Sequence, residues 1–165
     1  AVALGLDHFA LQIEYNRAYL LFLQERLTAG LAAFDELLPR LARLGDHRHE
    51  ALVLMDTAEI LLRLNLPVEA EERARRAAAA FKTLEMRYEQ ARSLAFHGMA
   101  LFRLRRLDRA GHAWRRSLAL FGRAANTLRR SALPPGPARL DFLSHRMAAA
   151  TRPATGRRGC GAGTT

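Results

Sequence analysis

The chain of 165 residues has one cysteine, Cys160, few aromatic residues (7%), and only 11 glycines and 6 prolines, many of them near the C-terminal end. A single cysteine excludes an internal disulfide framework and a metal site built from several cysteines. The turn-rich composition of a β-sandwich is also missing. Leucine, alanine and arginine dominate instead, and half of the residues are hydrophobic. This composition predicts an all-α chain that can bury a core.

Long apolar runs are absent as well. The most apolar stretch, 18–23, is flanked by charged residues and is far shorter than the roughly 18 residues of a membrane span. No secretory signal is recognisable. We therefore expect a soluble, cytoplasmic protein.

Lysine occurs once, against 25 arginines, and the positive charge is unevenly distributed. Residues 1–90 carry a net charge of −3, whereas residues 91–165 carry +13. Codon usage of a GC-rich genome explains such a preference for arginine without any ligand. The net charge of +10 alone is therefore weak evidence for nucleic-acid binding.

What the chain has is an internal repeat of 40 residues. Two series of small residues carry it: Gly30, Ala70 and Ala110, and Ala18, Ala58 and Gly98. Leucines at three- and four-residue steps between them are typical of amphipathic helices. The pattern predicts helices at 8–26, 28–44, 47–64, 67–84, 88–105 and 108–123. These form pairs at 8–44, 47–84 and 88–123, and a partial fourth unit starts at 125.

Turn residues lie between these helices. Gly45 is suited to a left-handed helix end, and Pro67 to a first helical position. Asp46, Thr28 and Asp108 are predicted to cap the helices that follow them.

The repeat resembles the tetratricopeptide repeat (TPR) family. The residues that carry the resemblance are Leu94, Gly98, Leu101, Ala110, Trp114 and Ser117 in one unit, and Leu54, Ala58, Leu61, Ala70, Ala74 and Ala77 in the unit before. The resemblance covers about residues 8–132. The units are longer than the family's standard, and Lys82 and Gly122 stand where a standard unit has proline. It implies an α-solenoid of antiparallel helix pairs, wound as a right-handed superhelix.

The C-terminal part departs from the repeat. A proline-rich turn at 134–137 should end a partial helix at 125–132, and a short helix at 138–150 should follow. Residues 151–165 are expected to be a disordered tail beyond the 133–150 segment. The stretch 139–146 is similar to one that follows long TPR arrays in proteins with a CHAT-type (caspase-like) domain. That similarity gives the regulatory segment of a protease lacking its catalytic domain as a third interpretation. The ends of a solenoid normally carry polar outer faces, but the first helix is among the most apolar, so we expect further repeats before residue 1 in a larger bacterial protein.

In TPR folds the first helix of each pair lines a concave groove that holds a protein or peptide. The resemblance therefore implies a scaffold or sensor module that binds through these residues: Gln12, Tyr15, Tyr19, Phe22, Leu52, Met55, Glu59, Leu62, Arg63, Arg92, Met99, Phe102 and Arg103. Aromatic residues, methionine and arginine are enriched in recognition surfaces. A partner with apolar anchors and acidic groups suits them, because arginine binds carboxylates in bidentate fashion. The alternative for each residue is packing against neighbouring repeats.

A basic outer face is the second candidate site. Its residues are Arg105, Arg109, His112, Arg116 and Arg123. Phosphate contacts come from such patches, so a helical nucleic-acid-binding module is the alternative function. A solvated face is the simpler interpretation, since Trp114 and Phe121 occupy repeat-core positions instead of lying between the arginines.

No constellation for catalysis is recognisable. His47 and His49 are two residues apart at a helix start and point to different sides. Asp56 and Glu59 share a helix face, but no cleft is indicated around them. The glycine-rich stretch 159–163 lacks the lysine of a phosphate loop. We therefore predict a protein that is not an enzyme and holds no metal or cofactor.

Overall fold

The computed structural model describes the backbone of residues 2–130 and the side chains of residues 6–123. Six α-helices occupy this part of the chain: α1 (Val2–Leu23), α2 (Leu27–Leu44), α3 (His47–Arg63), α4 (Pro67–Thr83), α5 (Arg87–Arg103) and α6 (Leu107–Arg130). Residues 2–130 contain no β-strand, which confirms the all-α prediction for them. The bounds of α2 to α5 lie within two residues of those predicted. The prediction for the first helix, 8–26, was wrong, because α1 begins six residues earlier and ends three residues earlier.

The five turns between the helices share one backbone geometry and recur every 20 residues. The central residue of each turn has a positive φ: Glu25, Gly45, Asn65, Glu85 and Arg105. The next residue donates its amide to the carbonyl five positions back, as Arg26 does to Leu21 at 3.0 Å. This Schellman arrangement satisfies carbonyls that the ending helix leaves without partners.

The residue that follows each left-handed residue also begins the hydrogen bonding of the next helix. The carbonyl of Arg26 accepts the amide of Gly30 at 2.9 Å, and the carbonyl of Arg106 accepts that of Ala110 at 3.0 Å. Each turn therefore joins two helices through only two or three residues outside them.

The observed helix starts show which of the predicted capping residues are correct. Asp46 is a cap as predicted, with its Oδ1 accepting the His49 amide at 3.1 Å, and Pro67 lies at the start of α4. The predictions for Thr28 and Asp108 were wrong. The helices begin one residue earlier, at Leu27 and Leu107, so both polar residues lie inside a first turn.

The last helix is longer than predicted. α6 runs unbroken from Leu107 to Arg130, whereas we expected one helix to end at 123 and another to begin at 125. No residue between these positions has the positive φ that ends the earlier helices. The expected segments at 133–150 and 151–165 lie outside the described residues.

Helices that follow one another pack together, and α3 also contacts α1 and α5. Val53 and Ile60 of α3 belong to a buried cluster built on α1 and α2 around Phe34. On another side of the helix, Met55 belongs to a second cluster that includes Phe81 of α4. α3 is therefore buried between the first helix pair and α4. None of the described helices is long and apolar enough to cross a membrane.

Candidate functional site

The 13 predicted groove residues all belong to the odd-numbered helices α1, α3 and α5. We call these residues, together with Asp56, the inner-helix face. Contacts between side chains link the three helices across it. The structure therefore brings a large part of the predicted set together, and the individual contacts show how.

A buried carboxyl group joins α1 to α3. Tyr15 donates its hydroxyl to Asp56 Oδ2 at 2.6 Å, and Asp56 is only 2% exposed. Next to it along α3, Glu59 accepts from Arg92 of α5 at 3.4 Å. Arg92 also lies over the ring of Phe96, 5.7 Å from its centroid. Polar contacts thus run from α1 through α3 to α5.

The electrostatics of Asp56 follow from its burial. Loss of hydration raises the pKa of its carboxyl group to about 6, although the Tyr15 hydrogen bond and the charge of Arg92 act in the opposite direction. The negative charge of Glu59 adds to the increase. Burial, and then the neighbouring Asp56, raise the pKa of Tyr15 far above its ordinary range. Tyr15 therefore remains a hydrogen-bond donor.

Asp56 is the member of this face that sequence reasoning missed. The sequence pattern pairs it only with Glu59 on one helix face, without a cleft around them. The carboxyl group is buried and held by Tyr15, and this burial is what raises its pKa. The two residues are 41 positions apart, so no local pattern pointed to the contact.

Aromatic rings continue the face along α1. Tyr15 stacks on Tyr19 with centroids 6.3 Å apart, and Tyr19 lies 5.9 Å from Phe22. Arg63 of α3 lies over the Phe22 ring at 5.4 Å and forms an ion pair with Glu25. At this end of the face two half-buried tyrosines lie beside the buried Phe22, with Arg63 at the edge.

At the other end, α5 presents an apolar and a basic side chain next to each other. Phe102 is 48% exposed and lies 5.8 Å from the Trp114 ring. Arg103 is exposed and donates to the Leu62 carbonyl of α3. The contact with the carbonyl orients Arg103 without neutralising its charge.

The 13 predicted groove residues differ in how far their side chains are buried. Phe22, Met55 and Leu62 are core side chains, at most 6% exposed, because they pack between helices. Leu52 and Met99 are partly buried against the second core cluster. These five hold the face in place, whereas Gln12, Arg63, Phe102 and Arg103 are exposed. Tyr15, Tyr19, Glu59 and Arg92 are intermediate.

Only three of the five residues of the basic outer face lie together in the structure. Arg109, His112 and Arg116 of α6 line a cavity of about 290 Å³, together with His97 of α5. Acidic groups are close to it: Glu71 lies 3.0 Å from His97 and 3.8 Å from Arg109.

The other two members lie apart from this cavity. Arg105 is the central residue of the turn before α6, and Arg123 is exposed near the end of the described side chains. Neither is among the residues that line the cavity.

The two histidines at the start of α3 have different surroundings. His49 Nδ1 is 2.8 Å from Asp46 Oδ2, and His8 of α1 approaches the same oxygen at 3.4 Å. His47 is largely exposed beside Glu50. Among the described side chains, no group of three or more potential ligands is arranged to hold a metal ion.

Comparison of the chain with protein-family models, with curated proteins and with solved structures gives no match.

Proposed function

We propose that the chain is a TPR-like scaffold or sensor module that holds a protein or peptide partner on its inner-helix face. The observation that carries the proposal is the exposed pair Phe102 and Arg103 at the end of a face shared by three helices. An apolar anchor beside a positive charge is the combination that recognises an acidic peptide with apolar side chains.

The turns support the solenoid interpretation. Identical left-handed turns every 20 residues make successive helix pairs alike. α1, α3 and α5 contact one another in order along the chain. In an α-solenoid each unit contacts its neighbours, and one set of helices lines the binding surface.

The close helix crossing in the third pair supports the TPR resemblance. A Cβ added to Gly98 would lie 2.3 Å from Trp114 Nε1, so only glycine fits there. Trp114 in turn donates to the Ala95 carbonyl at 3.3 Å. Small and aromatic residues at these two positions carry the resemblance in the sequence, and here they pack directly against each other.

The partner's acidic groups would meet the basic residues of the face to different extents. Arg63 and Arg92 each have an acidic neighbour within the chain, Glu25 and Glu59. Arg103 has the Leu62 carbonyl as its hydrogen-bond acceptor and keeps its full charge for a ligand. Arg103 is therefore the principal contact for the partner's acidic groups, and Phe102 is the apolar anchor beside it.

The test is selection of acidic peptides from a display library, followed by fluorescence titration of the tightest binder. Phe102→Ala and Arg103→Ala should each weaken binding about 30-fold, the effect of removing a side chain worth about 2 kcal/mol at an interface. Leu118→Ala and Arg115→Ala are the matched controls, because both residues are exposed on α6. Equal losses in both sets contradict the proposal.

Duplex DNA titrated over a salt series tests the alternative. The cavity residues Arg109 and Arg116 share their surroundings with Glu71 and Asp108, which repel phosphates. DNA affinity that persists at physiological salt, and that falls when Arg109 and Arg116 are replaced by alanine, would favour nucleic-acid binding over a protein partner.

A further inference from the structure

The outer side of α1 carries an apolar stripe that no described residue covers. Its members are more than half exposed: Leu6 (65%), Phe9 (62%), Ile13 (53%), Leu20 (55%) and Leu23 (53%). The opposite side of the helix supplies Leu11, Ala18 and Phe22 to the core. A helix that is apolar on both sides is normally buried on both.

The positions 40 residues later show what covers such a surface in the other pairs. Val53 and Ile60 of α3 correspond to Ile13 and Leu20, and both are fully buried against the first pair. The ends of the stripe differ, however. Phe9 and Leu23 correspond to His49 and Arg63 in α3. A preceding helix pair thus needs apolar residues only at the centre, whereas the stripe on α1 also has apolar residues at both ends.

The stripe has the spacing of a coiled-coil seam. Its apolar residues follow one another at steps of three and four, with Asn16 filling the remaining position: Leu6, Phe9, Ile13, Asn16, Leu20 and Leu23. Read as heptads, three of these are a positions and three are d positions. The stripe extends about 26 Å along the helix, at 1.5 Å per residue.

This spacing is the same in both directions along the helix. The step pattern is symmetric about its midpoint, so two antiparallel copies bring Leu6 opposite Leu23, Phe9 opposite Leu20 and Ile13 opposite Asn16. An interface around a two-fold axis requires this self-complementarity, in which residue i contacts j and j contacts i.

Charge does not oppose the pairing. Within α1 the positions beside the stripe hold Ala10, Gln12, Arg17 and Tyr19, so Arg17 is the one charged residue among them. In the antiparallel arrangement Arg17 lies level with Gln12 of the second copy. Glu14 is directed away, since it forms an ion pair with Arg40 of α2.

The exposed area reaches the lower limit for a specific interface, about 1,000 Å² over both copies. The five exposed fractions amount to roughly 500 Å² at about 180 Å² for a large apolar side chain. The neutral flanking side chains raise this value toward the roughly 800 Å² per partner of a standard interface. We propose that the outer side of α1 is a dimer interface, where it pairs antiparallel with the same surface of a second copy of this chain.

Sedimentation velocity of the full chain over a wide concentration range tests the proposal. The expected species is a dimer, and Ile13→Glu should raise its dissociation constant by at least about 100-fold, because each dimer buries two uncompensated charges. Val68→Glu is the matched control, since Val68 is 64% exposed on α4. Ile13 is exposed within one copy, so the thermal melt of the variant monomer reports whether it remains folded.

Cross-linking tests the orientation. In a Cys160→Ser background, Leu6→Cys and Leu23→Cys are introduced together, and the disulfides formed on oxidation are mapped by peptide mass. Links between positions 6 and 23 of different copies are expected. Links of 6 to 6 and 23 to 23, a wild-type monomer, growth beyond the dimer, or a dimer that Ile13→Glu leaves intact would each overturn the proposal.

Discussion

α1 and α3 hold the same position in successive helix pairs, yet they differ in burial. Ten of the 17 residues of α3 are buried, because the helix lies between the first pair and the helices that follow. In α1, Ile13 and Leu20 remain exposed where Val53 and Ile60 are fully buried. The difference shows that neighbouring pairs create the core of a given helix, as expected when stability is a sum of contacts between adjacent units.

The largest expected difference between α1 and α3 is in how much a substitution at corresponding positions lowers the free energy of unfolding. Ile60→Glu should lower the free energy of unfolding by about 4 kcal/mol, because it places a charge without a partner in the core. Leu20→Glu, at the corresponding position of α1, should change it by less than about 0.5 kcal/mol, a typical surface effect. Urea denaturation of the two variants makes the comparison.

The comparison requires the Ile60→Glu and Leu20→Glu variants to be in the same oligomeric state. The unfolding free energies should therefore be measured in an Ile13→Glu background, which keeps the outer side of α1 exposed. Equal losses for the two variants in that background would show that α1 is covered within one chain.

The second comparison concerns the close crossing in each pair. Ala18 and Ala58 occupy it in α1 and α3 and are at most 1% exposed, whereas α5 has Gly98 against Trp114. Gly98→Ala should destabilise the chain by about 3 kcal/mol, since the added Cβ overlaps the indole ring. The thermal melt of Gly122→Ala is the control, because nothing lies within 4 Å of a Cβ at that position. A Gly98→Ala variant as stable as wild type is incompatible with this packing.

The third comparison is between Asn16 of α1 and Asp56 of α3, which are 40 positions apart. Asn16 is exposed and Asp56 is buried. The raised pKa of Asp56, about 6, means that the folded state binds this proton more tightly than the unfolded chain does. Its contribution to stability is fully present below pH 4 and is lost as the pH rises through 6.

Asp56→Asn should remove this pH dependence while keeping an acceptor for Tyr15. The stability of the variant relative to wild type should rise by about 2 kcal/mol between pH 4 and pH 8, measured by urea denaturation at each pH. The lowered pKa of Asp46 works in the opposite direction, but it is present in both proteins and cancels. A relative stability that is constant with pH, or that falls, excludes a buried Asp56 carboxyl group.

The smallest effect concerns the turns that separate the pairs. Glu85 adopts a φ of 57°, a left-handed conformation that costs a residue with a side chain about 1 kcal/mol. Glu85→Gly should therefore raise the thermal midpoint, with a gain of about 0.5–1 kcal/mol. The same change at Glu25 should gain less, because Glu25 pairs with Arg63. Glu85→Ala serves as the control, since alanine does not relieve the strain.

Much of the helix layout followed from the sequence. The 40-residue series through Gly30 and Gly98 placed the close crossings, and the leucine spacing placed the helices. The turns were less visible because only Gly45 of the five left-handed residues is a glycine. At Glu25 and Glu85 the packing of whole helices determines the backbone, so no local signal exists.

The site was predictable only in part, for a similar reason. Helical periodicity places Tyr15, Glu59 and Arg92 on one side of their helices, but it does not say which side chains the neighbours cover. Met55 and Leu62 are core residues for that reason. The contact between Tyr15 and Asp56 depends on how α1 packs on α3, which is a property of the folded chain.

The most direct test of a partner-binding inner-helix face is an NMR titration of the chain with the selected acidic peptide. Resonances of Tyr19, Phe102 and the Arg103 side chain should shift most, while those of Arg109 and Arg116 on α6 stay unchanged. Shifts confined to Arg109 and Arg116, with the aromatic residues of α1 and α5 unaffected, would contradict the proposed function.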